Sequence, residues 1–216
     1  MNAYEKVMRE RGRLLSDGGA DPVWISTLES RMAEHGVAVA AARVDAAQKL
    51  SQAIMESQSA FPNAVLSLAG ELEDGLMTQP AVEVESNFCE KLQGTRMVDA
   101  RSGRTSIGPH KSDLLVRHAD KNMPAELCST GEQKALLIGI TLASARLSAT
   151  QFGAPPLLLL DEVAAHLDEK RRGFLFEELS DVGSQVWLTG TDISLFDQMG
   201  KRARFFRFEN GKIHTD

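Results

Sequence analysis

The stretch Pro155–Asp168, PPLLLLDEVAAHLD, decides the fold. Four leucines stand in a row between two prolines and two acids. A short continuous apolar run with such borders reads as a buried strand of a parallel sheet. Each leucine fully removed from water contributes roughly 1.5–3 kcal/mol. Asp161 and Glu162 follow at once. In a parallel sheet, ligands sit off the carboxyl ends of the strands. Successive side chains there point to opposite faces, so one carboxylate can face a metal and the other a reacting phosphate. Asp161 is the natural Mg²⁺ partner, because that ion prefers hard oxygens and keeps several waters. Glu162 is the natural general base for an attacking water. A plain acidic pair that closes a strand and opens a loop accounts for the same residues.

Working outward, helical and strand patterns alternate. GEQKALLIGITLASARLSA (131–149) reads as a strong helix, DEKRRGFLFEELS (168–180) as another, and SQVWLTG (184–190) as a strand. Upstream, AVLSLAG (64–70) and SDLLVRH (112–118) read as strands around one helix over 80–103. ARFFRFENGKI (203–213) predicts a hairpin turning at Asn210-Gly211. This alternation predicts an α/β layer fold with parallel strands.

The first part of the chain reads differently. A helix is expected from Asn2 to about Leu15, then SDGGADP breaks it. Its paired glycines make the turn, with Asp21 as N-cap and Pro22 at the first helical position. A long helix then runs to about Ser57. Ile25, Leu28, Met32, His35, Val39, Ala42 and Ala46 step by threes and fours, a thin coiled-coil-like seam. Either a projecting arm or a helical pair packed on the main domain fits. The expected division is residues 1–60 as a helical arm and 61–216 as the α/β part.

The 216 residues carry 24 Lys and Arg against 30 Asp and Glu, a net charge of −6 that disfavours DNA binding by overall field. Basic clusters at Arg9-Arg11-Arg13, Arg101-Arg104, Lys170-Arg171-Arg172 and Lys201-Arg202-Arg204 read first as solvated surface. Two cysteines, Cys89 and Cys128, lack metal-ligand spacing and a disulfide pattern, which fits a reducing compartment. No apolar run is expected to reach the roughly 20 residues of a membrane helix. MNAYEKVMRERGRLL lacks a signal-peptide core. A cytosolic location is therefore expected.

CSTGEQK (128–134) opens the helix that leads to the leucine strand, and Asp168 follows six residues after Glu162. In this order the stretches resemble the signature motif, Walker B strand and D-loop of ABC-type ATPases. GPHKSDL, CSTGEQKALLIGI, LLLLDEVAAHLDEKRR and WLTGTD are most similar to the RecF family within the RecF, RecN and SMC group. The resemblance is dense from Gly108 to Asp192 and loose elsewhere. It implies an ABC-ATPase-like head lobe, incomplete, with an N-terminal helical hairpin arm.

In that family two heads dimerise around ATP, and the signature loop of one contacts the γ-phosphate held by the other. The resemblance thus implies nucleotide contact in trans by Ser129, Thr130, Gly131, Glu132, Gln133 and Asp168. It implies Glu162 as catalytic base and Asp161 on Mg²⁺. Thr189, Thr191 and Asp192 occupy the place where transporters carry a switch histidine. Donors at a helix N-terminus favour anions, and Gly131 permits close approach. Ser129 or Thr130 as a plain N-cap, completed by Glu132 or Gln133, is the structural alternative. Glu132 adds negative charge near a phosphate and is expected to turn away or to bond the ribose side. Implied partners are single-stranded and gapped or junction DNA, a second copy of the chain, and the RecO and RecR mediators.

GRTSIGPHKS (103–112) is rejected as a Walker A loop. Pro109 and His110 break the G-x-x-x-x-G-K-[ST] register, Pro109 removes a donor, and a strand follows. The chain then corresponds to the C-terminal portion of a RecF-like protein, a piece or a split-gene product. Alone it is not expected to turn over ATP, and strand edges such as PPLLLL should lie uncovered. A RecN- or SMC-like head, or a non-hydrolysing interaction module, are the alternatives.

Overall fold

The computed structural model describes residues 3–18 and 21–215; Asn2 and Gly19, placed above in the first helix and its turn, lie outside them. The chain forms two compact units, 1–51 with 66–116 and 52–65 with 117–216. This division differs from the expected boundary near residue 60. Residues 66–116 group with the helical hairpin because they complete its core.

In the first unit, α1 (Ala3–Ser16) and α2 (Pro22–Glu56, through residue 51) join α3 (Glu71–Leu76), α4 (Ala81–Gly94) and α5 (Arg96–Ser102). Asp21 caps α2 by accepting from the Val23 N–H at 2.9 Å. The expected single helix over 80–103 is two, interrupted at Thr95. The core joins Tyr4 and Val7 of α1 to Leu28, Met32, Val37 and Ala40 of α2 and Val84, Phe88 and Leu92 of α4. Ile25, Leu28 and Met32 are buried as the seam predicts, but Ala42 and Ala46 are exposed. Burial passes instead to Ala33, Val37 and Ala40, because α2 packs against α4 as well as α1. Gly36 permits this approach: a Cβ there would stand 2.8 Å from the Phe88 ring.

One member of a basic cluster is not surface, although its neighbours Arg9 and Arg13 are exposed. Arg11 is completely buried. It donates to Glu29 Oε1 at 3.0 Å, Asp99 Oδ2 at 2.7 Å and the Leu92 carbonyl at 2.7 Å. Both carboxylates are buried with it, and Arg96 also pairs with Glu29. The helix period hid this role, since only α2 and α5 packing on α1 removes the guanidinium from water.

The chain changes unit within β1 (Ala64–Ala69) and again within β2 (Asp113–His118). In the second unit, β2 turns back into β3 (Met123–Pro124), pairing Arg117 with Pro124 and His118 with Met123. Then come α6 (Thr130–Phe152), β4 (Leu158–Leu160), α7 (Glu169–Val182) and β5 (Val186–Leu188). β4 and β5 are parallel in the register Leu158↔Val186, Leu159↔Trp187, Leu160↔Leu188. The hairpin β6 (Phe206–Glu209) and β7 (Lys212–Thr215) turns at Asn210-Gly211, both at positive φ.

The second core gathers Phe61, Ala135, Ile138, Leu142, Leu158, Leu175, Phe176 and Leu179. Glu178 fastens the 57–60 segment to it. It accepts from Ser59 Oγ at 2.7 Å, the Ala60 N–H at 3.0 Å and Arg146 Nη2 at 2.7 Å. One face of the two strands is bare: Leu157, Leu159 and Trp187 are 55%, 72% and 49% exposed. Contrary to expectation, α6 is 23 residues long and apolar enough to cross a membrane by length and composition. Its Ala135, Leu136, Ile138 and Leu142 are nonetheless buried in this unit.

Candidate functional site

Parallel pairing of β4 and β5 brings their carboxyl ends side by side. Asp161 and Glu162 leave β4 there, and Thr189, Gly190, Thr191 and Asp192 leave β5. The Thr189 N–H extends the ladder to the Leu160 carbonyl at 3.2 Å. The Thr189 hydroxyl donates to Asp161 Oδ1 and accepts from the Glu162 N–H, the latter at 2.9 Å. One threonine therefore fixes both carboxylate residues relative to the neighbouring strand. Glu162 has φ +51°, in the left-handed region that disfavours residues with a Cβ. Strain of this kind persists where the surroundings over-determine the backbone. Here the Thr189 hydrogen bond and the strand before it do so. All these side chains are exposed.

Asp192 does not face the carboxylates as a free group. It caps the 3₁₀ segment Ile193–Arg202 by accepting from the Ser194 N–H at 2.9 Å, and these bonds hold its carboxyl below the ordinary value. Thr191 is exposed beside it. Asp168 caps α7 through the Arg171 N–H at 2.8 Å, with the Arg171 guanidinium 3.7 Å away.

The signature-like turn starts α6. Ser129 is its N-cap, and Glu132 completes a capping box. Glu132 Oε2 accepts from the Ser129 N–H at 3.0 Å and hydroxyl at 2.9 Å. Gln133 donates to the carbonyls of Glu126 and Cys128 at 3.2 and 3.1 Å, bracing the approach to the helix. The structural alternative and the anion-facing reading thus share these residues. Gly131 has no internal reason to be glycine, since an added Cβ would meet nothing within 4 Å. Glycine inside a helix costs about 1 kcal/mol relative to alanine.

Lys121, which no sequence pattern singled out, ion-pairs with Glu132 Oε1. That hydrogen bond, then those from Ser129, depress the Glu132 carboxyl to about 2. Lys121 comes from the β2–β3 turn, so its approach follows from strand pairing and has no period in the sequence. Lys121, Glu132 and Arg171 line an open cleft of about 500 Å³ with Pro62, Asn63 and His118. His118 is buried and its Nδ1 has no partner. A second open cleft, about 550 Å³, lies along α7 from Asp168 to Gln198. Neither includes Asp161 or Glu162, which stand on an exposed edge.

Gly108–Ser112 is a 3₁₀ turn running into β2, with Gly108 at φ +126°. Its His110 ring is held by Tyr4 Oη and the Thr105 carbonyl, each at 3.0 Å. This geometry agrees with its rejection as a phosphate loop, which would open a helix.

Asp161 supplies one hard carboxylate oxygen, and the described residues contain no cluster of three or more metal-ligating side chains. That donor set fits Mg²⁺, which takes one or two carboxylates plus substrate phosphates and water.

No protein-family model matches the chain. It is 50% identical over 212 residues, 97% of its length, to the DNA replication and repair protein RecF of Mesorhizobium japonicum. The RecF of Agrobacterium fabrum matches at the same identity and coverage, and that of Brucella abortus at 48%. The chain spans 55–56% of the length of these relatives. Among solved structures, the recombination mediator protein RecF-ATPrS in the RecFOR pathway superposes with a TM-score of 0.77 over 99% of this chain, at 19% identity. RecF-ATP gives 0.76 at 18%. The α/β fold is therefore that of the ABC-ATPase-like RecF head. With half of its residues shared across almost its whole length, the chain belongs to the RecF family.

Proposed function

We propose that this chain is the C-terminal portion of a RecF-like, ATP-dependent DNA-binding protein of recombinational repair and replication-fork maintenance. Its α6 turn contacts ATP held by a second subunit. The observation that carries the reading is the half-identity to RecF together with the build of that turn. Ser129 caps the helix, Gly131 is bare toward solvent, and Thr130 and Gly131 offer backbone donors at the positive end of the helix dipole.

In the complete site, Asp161 holds Mg²⁺, which neutralises phosphate charge when bound. Glu162 accepts the proton of a water whose oxygen bonds to the γ-phosphorus as the bond to the leaving ADP oxygen breaks. Thr189 orients the Asp161 carboxylate and holds the Glu162 backbone. Asp168 signals between the two nucleotide sites, and Thr191 and Asp192 stand near the switch position. ATP closes a homodimer on single-stranded or gapped DNA, with RecO and RecR as mediators in the cytoplasm, and hydrolysis reopens it. A role in the SOS response follows from the same resemblance.

The test uses the full chain with full-length Agrobacterium fabrum RecF, which by the family resemblance is expected to supply the Walker A loop. Association should require ATP and Mg²⁺, and Ser129→Arg should abolish it by filling the γ-phosphate position. Equal association of Ser129→Arg would refute the trans contact. In a chimera completed with the unaligned part of that relative, Glu162→Gln should dimerise on ATP yet not hydrolyse it. Undiminished turnover would remove Glu162 as base. A non-hydrolysing interaction module is the second reading, favoured by the Gly108–Ser112 turn not being a phosphate loop. Association independent of ATP would support it.

A further inference from the structure

Glu132 presents a problem of charge. It lies one residue beyond Gly131, in a turn that, on the reading above, meets a triphosphate. A carboxylate there repels the ligand.

The fold answers with Lys121. The ammonium pairs with Oε1 of Glu132, while Oε2 is held by the Ser129 N–H and hydroxyl at 3.0 and 2.9 Å. Both oxygens are therefore engaged within the chain. Lys121 reaches this position from a different element. The β2–β3 turn is set by the pairs Arg117↔Pro124 and His118↔Met123. It is pinned at its tip by Arg117 donating to Asn122 Oδ1 at 2.9 Å, with Asn122 at φ +46°. Glu132 alone could cap α6; a capping box needs no lysine. The additional cation cancels the charge that the box leaves beside Gly131.

We propose that Lys121 is a positioning residue of the signature turn. It neutralises Glu132 and holds that carboxylate back on Ser129, so that the donors at Thr130 and Gly131 meet an anionic nucleotide without a competing charge. This rests on the trans-contact reading above and extends it to a residue outside the motif.

The decisive experiment measures ATP-dependent association of the full chain with full-length Agrobacterium fabrum RecF, using Lys121→Met, Lys121→Arg, Glu132→Gln, Lys121→Met/Glu132→Gln and Ser129→Arg. Unscreening one carboxylate beside a polyphosphate should weaken association on the order of tenfold for Lys121→Met. Lys121→Arg should stay near wild type. Glu132→Gln removes the charge at its source, so the double variant should return to within about twofold of Glu132→Gln alone. A lysine that contacts nucleotide directly, or merely supports the fold, predicts no such rescue. Unchanged association of Lys121→Met, or a double variant as weak as Lys121→Met, overturns the proposal. Normal association of Ser129→Arg would instead overturn the trans contact itself, so the two failures are distinct. Circular-dichroism melting of each variant separates unfolding from lost contact, and Lys121→Arg keeps the test informative if Lys121→Met unfolds.

Discussion

Replacing Arg11 by methionine is the most severe test of the first unit. The substitution preserves most of the side-chain volume and removes only the charge and its donors. Three bonds are lost, to Glu29 at 3.0 Å, Asp99 at 2.7 Å and the Leu92 carbonyl at 2.7 Å. Glu29 keeps Arg96 as partner. Asp99 keeps the Thr95 hydroxyl at 3.0 Å and the Ser106 N–H at 2.9 Å but has no remaining charge partner. Breaking a buried pair by deleting one member costs about 3–5 kcal/mol, because the survivor stays buried and unpaired. A domain's whole stability is roughly 5–15 kcal/mol, so the effect should be plain.

Urea unfolding in a Trp187→Phe background reads it cleanly, since Trp24 of α2 is then the single tryptophan of two. The midpoint should fall sharply at pH 7. Burial pushes the Asp99 carboxyl up, but bonds from Arg11, Ser106 and Thr95 outweigh it and hold the value below 3.8. A lowered folded value gives stability that is present above 3.8 and lost as pH falls through the folded value. In Arg11→Met the Asp99 carboxylate protonates more readily, so the gap to wild type should narrow in acid. Adding Asp99→Asn should recover part of the loss. A cost under about 1 kcal/mol at neutral pH would refute the assignment of a buried, charge-dependent clamp.

Glu162→Gly should raise stability by about 1 kcal/mol, because the left-handed backbone then costs no Cβ clash; thermal melting that shows a loss would contradict the strain. Glu178→Ala should cost about 2–3 kcal/mol through the three donors it strands, read by the urea transition of Trp187 in a Trp24→Phe background. The Glu132 carboxyl, lowered from 4.5 to about 2, should support the start of α6 fully above pH 4.5 and lose that support as pH falls toward 2. Protection of the Ser129 amide, taken as its exchange rate relative to the intrinsic rate at each pH, should fall over that window, and a flat protection profile would argue against the pairing.

Periodicity and motif order reach far in this chain, because the features concerned are local. Four leucines ending in two acids specify a strand and its acidic carboxyl end. A serine three residues before a glutamate specifies a capped helix start. Asn210-Gly211 specifies a hairpin. Half-identity to RecF then confirms the family that the motif order implies.

Other features have no local signature. The hairpin helices share a core with residues 66–116 because Phe88 fills the space over Gly36 and Arg11 meets Asp99, contacts spanning dozens of residues. Thr189 joins Asp161 and Glu162 only once β4 and β5 are in register. The sequence by itself determined which residues could bind an anion, a metal or a proton, since those are properties of side chains and of helix and strand ends. Tertiary structure decided which charges are neutralised. Lys121 reaches Glu132 across a strand turn, and Arg11 is buried between helices. Coulomb interactions depend on distance through space, and separation along the chain does not report it.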